Sequence, residues 1–178
     1  MKIKVCRSCG SKNLSSIISL GNQYLSDFLS SNKKPKRFPL RIVLCKKCSL
    51  LQLDYTTPSK YLYTERYGYR SGINSTMQEE LKEIAEKNLK KIRKTKDKII
   101  AIDIGANDGT LLKNYPKSVY RIGVEPIKKL AKESKKNADA VVNDFFNYKS
   151  VEKVLKGKKA DIVSAISCFY DMEEPNIF

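Results

Sequence analysis

Four of the five cysteines in this 178-residue chain form two pairs, Cys6–Cys9 and Cys45–Cys48, each with the spacing C-x-x-C. Each pair can present two thiolates to one ion, and two pairs complete the closed tetrahedral ligand set of a structural zinc site. The alternatives are two unrelated pairs or a thioredoxin-like redox motif, but neither pair follows a strand and opens a helix, as a redox cysteine would. The spacing therefore predicts a small zinc-binding domain that needs its ion to fold.

The residues around the second pair predict a small β structure. The gap of 35 residues between the pairs, 10–44, exceeds the usual zinc-ribbon spacing, so we expect an inserted loop at 31–38. The runs at 38–44 and 50–54 are apolar and β-branched, which predicts a hairpin with the second pair at its turn. Gly10 permits a tight turn after the first pair. The fifth cysteine, Cys168, is expected to be a buried apolar residue.

The charge is strongly positive, with 35 Lys and Arg against 19 Asp and Glu, a net charge of +16, and no histidine. Such an excess suits an anionic partner, namely nucleic acid, an acidic membrane surface or a phosphorylated small molecule, although solvated lysines explain it equally well. No run approaches the roughly 18 apolar residues of a membrane span. The N-terminus also lacks the apolar stretch of a signal peptide. We therefore expect a cytoplasmic protein with reduced thiols and no membrane partner.

Residues 61–74 hold four of the ten tyrosines and show neither helical nor strand periodicity, which predicts a loop. Composition favours a latch between two domains, and the alternative is a wall that faces a substrate. A helix follows, because apolar residues recur on one stripe. Ser75-x-x-Gln78 and Thr76-x-x-Glu79 both have the spacing of a capping box at its start, and residues 94–97 end it. The stripe consists of Met77, Leu81, Ile84, Ala85, Leu89 and Ile92.

The second half alternates strands with helices. The run at 98–104 is apolar and β-branched, as in a strand buried on both faces. Further strands are predicted at 120–124, 139–143 and 161–166, with helices beginning at 110 and spanning 128–137 and 151–155. This alternation indicates a doubly wound parallel sheet. The predicted fold class is therefore α/β, with a small zinc-bound β domain followed by a partial Rossmann-like sheet.

A glycine-rich turn joins the first of these strands to its helix and lets a ligand approach the backbone closely. The turn is neither G-x-G-x-x-G nor a P-loop, because no G-K-[ST] follows. Glu125 ends the next strand, where a carboxylate can accept both ribose hydroxyls of an adenosine ligand, and Asp144 follows the third strand. Strand ends of this kind meet where such folds bind ligands, although a turn without a ligand is the alternative.

Four elements occur in order: C-x-x-C-G, C-K-K-C-S-L-L-Q-L, Y-G-Y-R-S-G-I-N-S-T-M, and I-D-I-G-A-N-D-G-T-L-L followed by G-V-E-P. Together they resemble the class I S-adenosylmethionine-dependent methyltransferases with an N-terminal zinc-binding domain. That family includes sugar C-methyltransferases that act on nucleotide-linked 4-keto sugars. The resemblance covers essentially the whole chain. It implies a zinc-binding domain at 1–58, an aromatic linker and helix at 59–95, and the first half of a methyltransferase domain at 96–178.

The resemblance also implies S-adenosylmethionine and zinc as cofactors, an anionic small-molecule substrate such as a nucleotide sugar, and a role for each matching residue. The residues that match the zinc ligands are Cys6, Cys9, Cys45 and Cys48. Those that match the cofactor site are Asp103, Gly105, Asn107, Asp108 and Gly109 in the loop beside the methionine and ribose, Glu125 at the ribose, and Asp144 and Phe145 beside the adenine. For catalysis, Tyr69, with Tyr67 as the second choice, matches a tyrosine that faces the substrate and would stabilise an enolate.

Two features depart from the family. Its sugar enzymes carry a histidine shortly after the fourth strand and a Glu-His base further on, and this chain has no histidine. Their sheet has seven strands, and four are predicted here. We therefore expect the N-terminal portion of a longer enzyme, or a truncated product, with cofactor binding but without turnover. The alternatives are a non-catalytic binding module or a zinc-ribbon nucleic-acid methyltransferase, and the missing N/D-P-P-Y/F motif argues against the latter.

Overall fold

The computed structural model describes residues 1–25, 35–93 and 98–178, which form two compact units. The cysteine unit comprises Met1–Gly68 and Asp171–Phe178, and the α/β unit comprises Tyr69–Tyr170. The domain boundaries inferred from the sequence, at 58 and 95, stay predictions. Among the helices described, none is both long and apolar enough to cross a membrane.

The cysteine unit contains an antiparallel sheet in the order β1 (Leu14–Tyr24), β2 (Arg37–Cys45), β3 (Leu51–Leu53), followed by a short helix α1 (Ser59–Leu62). The predicted hairpin is confirmed, because β2 pairs with β3 and the second cysteine pair lies at their turn. The loop predicted at 31–38 is wrong at its end, since residues 37 and 38 pair with β1. Residues 31–34 of that loop lie outside the described part of the chain.

The α/β unit begins with the predicted amphipathic helix, α2 (Ser75–Lys91). Leu81 and Ala85 are buried in the core, and the other residues of the predicted stripe pack against it. The predicted capping boxes are wrong, because Asn74 takes the N-cap position and its Oδ1 accepts the Met77 N–H at 3.2 Å. The helix also ends earlier than predicted, at Lys91, and residues 94–97 are not among those described.

The rest of this unit follows the predicted alternation, with β4 (Ile100–Ile104), α3 (Thr110–Lys113), β5 (Tyr120–Val124), α4 (Lys128–Ser134), β6 (Ala140–Val142), α5 (Tyr148–Leu155) and β7 (Ile162–Ser164). The strands form a parallel sheet in the order β6-β5-β4-β7. β4 is buried along its whole length, as predicted. Because β5 and β6 lie on one side of β4 and β7 on the other, the order reverses at the carboxyl end of β4, where doubly wound sheets bind ligands. The predicted α/β fold class is confirmed.

Candidate metal centre and ligand site

The four paired cysteines converge on one point of the cysteine unit. Their sulfur atoms all lie within 4.8 Å of one another, with Cys6 Sγ 3.7 Å from Cys48 Sγ and Cys9 Sγ 3.6 Å from Cys45 Sγ. Four sulfur atoms held about 2.3 Å from one zinc ion in a tetrahedron lie about 3.8 Å apart. The cluster therefore has the dimensions of a closed four-thiolate zinc site.

Both cysteine pairs use the same backbone turn. The residue after each pair adopts a left-handed conformation, with φ of 69° at Gly10 and 61° at Ser49. Gly10 donates its N–H to the carbonyl of Cys6 at 3.0 Å, and Ser49 donates to that of Cys45 at 2.8 Å. Glycine adopts this conformation without steric cost, whereas serine does not.

This difference predicts opposite effects of two substitutions. Ser49→Gly should raise the free energy of unfolding of the zinc-loaded cysteine unit by about 1 kcal/mol, and Gly10→Ala should lower it by a similar amount. No atom of the described residues lies within 4 Å of a Cβ placed on Gly10, so the backbone conformation rather than a clash sets the cost. Urea unfolding of the zinc-loaded chain measures both effects. Equal stability of the two variants would contradict the assignment of these turns.

Gln52 on β3 supports the metal centre, although the sequence analysis missed it. Its Nε2 lies 3.2 Å from Cys6 Sγ, and its Oε1 accepts the Arg7 N–H at 3.1 Å. Burial opposes ionisation of Cys6, but hydrogen bonds from the backbone of Cys9 and Ser8 and from the side chains of Gln52 and Cys48 together outweigh burial and lower the pKa of Cys6 to about 6. The available signal was the polar Gln52 between two leucines, Leu51 and Leu53, of the predicted strand.

The two thiols of the second pair have pKa values shifted in opposite directions. The backbone N–H of Cys48 lowers the pKa of Cys45. The backbone N–H of Leu50 favours the Cys48 thiolate in the same way, but Cys9, burial and the other thiols together raise the pKa of Cys48 to about 12. A zinc ion among the sulfur atoms would favour the thiolate form of all four cysteines.

The second candidate site lies at the carboxyl edge of the parallel sheet. Ile104 pairs with Val124, and Val124 pairs with Val142, so the ends of β4, β5 and β6 are adjacent. The residues that follow β4 and β5, Gly105 and Glu125, therefore lie at one edge. The structure thus brings the predicted turn at 105–109 together with the predicted ribose acid.

Glu125 is a buried carboxylate, 4% exposed, held by two backbone N–H groups. Its Oε2 accepts from Asn107 at 2.9 Å, and its Oε1 accepts from Ile127 at 2.9 Å. Burial raises the pKa of Glu125, and these two hydrogen bonds oppose that rise. Each carboxylate oxygen has two lone pairs, so both oxygens can accept a further donor such as a hydroxyl group.

Asp103, on β4, is buried beneath this edge with an exposure of 5%. Burial raises the pKa of Asp103 to about 7; the hydrogen bond from Ser164 opposes the rise and the charge of Glu125 adds to it. The Ser164 hydroxyl, on the neighbouring β7, donates to Asp103 Oδ1 at 2.8 Å. Ser164 was not predicted, because the pairing of β7 with β4 joins residues far apart in sequence.

Asp103 should make the stability of the α/β unit depend on pH. Its pKa rises from 3.8 in the unfolded chain to about 7 in the folded one. Between these values the folded state keeps a proton that the unfolded state has lost, so the contribution of Asp103 to stability is complete below about pH 4 and is lost as the pH rises through about 7. Over that window its contribution falls by about 1.4 kcal/mol for each pH unit.

Asparagine does not ionise, so Asp103→Asn should remove the loss of stability that Asp103 causes as the pH rises. Urea unfolding at about pH 5 and about pH 8 measures this loss, with Asp144→Asn, an exposed carboxyl on the same edge, as the matched control. We expect the control to behave as the parent chain does. The same pH dependence in Asp103→Asn and the parent would show that Asp103 does not hold the proton.

Asn107 and Asp108 direct their side chains toward the end of the tyrosine-rich segment. Asn107 Nδ2 donates to the Tyr69 carbonyl at 3.1 Å, and its Oδ1 accepts the Ser71 N–H at 3.0 Å. Asp108 Oδ2 accepts the Gly72 N–H at 2.9 Å. Tyr69 therefore lies beside the turn, with 48% of its surface exposed.

The remaining predicted site residues lie at the surface. Asp144 Oδ1 accepts the Phe145 N–H at 2.8 Å, and the Phe145 side chain is 44% exposed after β6. Tyr67 belongs to the cysteine unit, where its ring lies 6.0 Å from that of Tyr63. The roles assigned to these residues and to Tyr69 stay predictions.

Asn143 and Cys168 also contact the sheet edge, and the sequence predicted neither contact. Asn143 Nδ2 donates to the carbonyls of Glu125 at 2.8 Å and Pro126 at 3.0 Å, which joins β6 to the acid. Cys168 was expected to be buried but is partly exposed, because it lies in the loop after β7 rather than in a strand. Its Sγ donates to the Ile104 carbonyl at 3.3 Å and lies against Gly105. Neither contact has a local signal in the sequence, because both depend on which strands are neighbours in the sheet.

This chain is similar to a known domain family and to a known enzyme. Residues 6–63 match a family described as "Putative zinc binding domain", and that stretch contains all four clustered cysteines. The chain is 24% identical over 170 residues to the C-methyltransferase NovU of Streptomyces niveus. The alignment covers 93% of this chain and 37% of that protein, so the chain spans well under half of its relative.

The family match and the geometry of the four sulfur atoms together support zinc as the bound metal. The resemblance inferred from the ordered motifs is confirmed: this chain is similar to the N-terminal portion of a C-methyltransferase, and its residues 6–63 are similar to a family of zinc-binding domains.

Proposed function

We propose that the α/β unit binds S-adenosylmethionine at the carboxyl edge of its sheet, and that the protein containing this chain methylates a carbon atom of an anionic small molecule. Glu125 carries this proposal, because it is a buried acid fixed by two backbone N–H groups beside a glycine-rich turn. When bound, S-adenosylmethionine supplies an electrophilic methyl group on its sulfonium. The likeness to a C-methyltransferase supports transfer to carbon.

The residues at this edge fit such a ligand. Gly105, with φ of 74°, turns the backbone at the end of β4, and the Glu125 oxygens can accept ribose hydroxyls. The Phe145 side chain is 44% exposed, and we assign it and Asp144 to the adenine end of the ligand. Close packing also requires a glycine at position 109, because a Cβ there would lie 3.0 Å from the Ser134 Cα.

The proposed substrate contact and substrate class rest on Tyr69 and on the net charge of the chain. The Tyr69 hydroxyl, or in second place that of Tyr67, would donate to an oxygen of the substrate and stabilise negative charge there. A net charge of +16 suits an anionic substrate, and a nucleotide-linked keto sugar is the class we propose. The zinc would be structural, because four thiolates leave no open coordination position.

Calorimetric titration tests the cofactor assignment. We expect S-adenosylmethionine and S-adenosylhomocysteine each to bind at one site per chain, and ATP and NAD to bind far more weakly. Absence of binding by both ligands to a folded α/β unit would overturn the proposal, and so would preferential binding of NAD.

The net charge also favours a second candidate, a methyltransferase that binds nucleic acid. Filter binding of single-stranded DNA at rising salt separates the two, because phosphate contacts produce a steep loss of affinity with salt. Tight, salt-sensitive DNA binding would support the second candidate. Weak DNA binding together with binding of a nucleoside diphosphate sugar would support the first.

A further inference from the structure

The backbone of residues 69–72, called here the docked segment, is fixed to the glycine-rich turn by side chains of the turn. Asn107 bonds the Tyr69 carbonyl at 3.1 Å and the Ser71 N–H at 3.0 Å, and Asp108 accepts the Gly72 N–H at 2.9 Å. The docked segment belongs to neither a helix nor a strand, so these side-chain contacts replace the backbone pairing that would otherwise hold it.

Two further contacts hold the same segment. Arg70 forms an ion pair with Glu133 on α4, and both side chains are partly buried. Gln78, in the first turn of α2, donates to the Gly72 carbonyl at 2.8 Å. The docked segment is thus anchored at every one of its four residues.

Gly72 shows how close the segment lies to the turn. A Cβ at this position would lie 2.8 Å from Asp108 Oδ2 and 2.9 Å from Thr110 Oγ1, distances that real Cβ atoms essentially never show. The φ of Gly72 is not in the left-handed region, so close approach rather than backbone conformation requires glycine here.

Asn107 connects this contact to the candidate ligand site. It is 7% exposed and has a left-handed φ of 52°, a conformation that asparagine tolerates better than most residues. That conformation lets its backbone N–H reach Glu125 Oε2 at 2.9 Å while its side chain reaches Tyr69 and Ser71. One buried residue therefore bonds both the proposed ribose acid and the backbone that carries Tyr69.

We propose that Asn107 is a positioning residue that places Tyr69 beside the turn and couples this placement to ligand binding at Glu125. The coupling rests on the proposed function, whereas the placement does not. A ligand that engages the Glu125 carboxylate restrains the backbone of Asn107 and so opposes opening of the docked segment. By linkage, a segment held in place favours the ligand by the same free energy.

Hydrogen exchange of individual amides, measured by NMR on the full chain, tests the placement. Asn107→Gly keeps a residue suited to positive φ and removes the two side-chain bonds to the docked segment, together with the bond that Asn107 Oδ1 accepts from the Asp108 N–H. We expect the Ser71 amide to exchange about tenfold faster in this variant, while amides of β4 and β5 keep their parent rates. Asn114→Ala, which removes a bond from Asn114 Nδ2 to the Thr110 carbonyl, is the matched control and should leave Ser71 unchanged.

Gly72→Ala tests the same placement from the segment side, so the proposal remains testable if Asn107→Gly does not fold. The added methyl group should displace the segment and speed exchange at Ser71 without altering Asn107. Parent-like exchange of Ser71 in a folded Asn107→Gly or Gly72→Ala variant would overturn the placement.

Saturating S-adenosylmethionine tests the coupling in the same measurement. We expect it to slow exchange at Ser71 about tenfold in the parent chain and to have little effect there in Asn107→Gly. Calorimetric binding without any change at Ser71 would overturn the coupling and leave the proposed function intact. Absence of binding would overturn the proposed function and the coupling together, and the exchange rates without ligand would still decide the placement.

Discussion

Replacing Cys45 by serine should abolish stoichiometric zinc binding and unfold the cysteine unit, while the α/β unit stays folded. Among the described residues, the buried apolar side chains of the cysteine unit are Cys6, Val43 and Cys45, and two of these belong to the four-cysteine cluster. Its sheet exposes large apolar side chains such as Ile17 and Leu20. A unit with so small a core depends on its metal, and structural zinc contributes about 10–16 kcal/mol to the folding of small zinc peptides.

The chain supplies its own control for this prediction. Cys168→Ser removes the cysteine that lies outside the cluster, so it should retain one zinc per chain. Colorimetric measurement of released zinc and hydrogen exchange at Val43 report the two effects. A Cys45→Ser chain that keeps one zinc and a protected β2 would show that the four sulfur atoms do not form the metal site.

Glu125→Gln should weaken binding of S-adenosylmethionine by about a hundredfold and lower the stability of the α/β unit by about 1–3 kcal/mol. The carboxylate accepts the N–H groups of Asn107 and Ile127 with separate oxygens. An amide has one oxygen, so its NH₂ group would face one of these donors and leave that donor unsatisfied in a buried position. The same substitution removes an acceptor from the proposed contact with the ribose.

Affinity and stability must be measured separately for this variant. Calorimetry with a folded sample gives the affinity, and urea unfolding gives the stability. Glu80→Gln on the exposed side of α2 makes the same chemical change away from the sheet edge and should leave both quantities unchanged. Unaltered cofactor affinity in Glu125→Gln would remove Glu125 from the ligand site.

Local patterns in the sequence predicted the features that depend on neighbouring residues. The buried run of β4, the turn that follows it and the strand β5 were identified because a strand buried on both faces is continuously apolar. The stripe on α2 has helical periodicity and packs on the core as expected. The spacing of the cysteines predicted the metal centre, because tetrahedral thiolate coordination constrains the spacing of its ligands.

Features that depend on distant pairing were not visible in the sequence. β1 was missed because its apolar residues do not alternate regularly and its pairing with β2 shifts register twice. Ser164 and Asn143 act on Asp103 and Glu125 through neighbouring strands of the sheet. Asn107 contacts Tyr69, which lies 38 positions away in the chain. Sequence periodicity reports only on neighbouring residues, so it could not predict this contact.

We propose that the turn between β4 and α3, together with Glu125, holds S-adenosylmethionine. NMR titration of the labelled chain with S-adenosylhomocysteine tests this most directly, because it reports where the ligand binds. We expect the amide signals of Gly105, Asn107, Gly109 and Ile127 to shift and to saturate at one equivalent, with Phe145 shifting in parallel. Saturable shifts confined to other residues, or no shifts at all in a folded α/β unit, would contradict the claim.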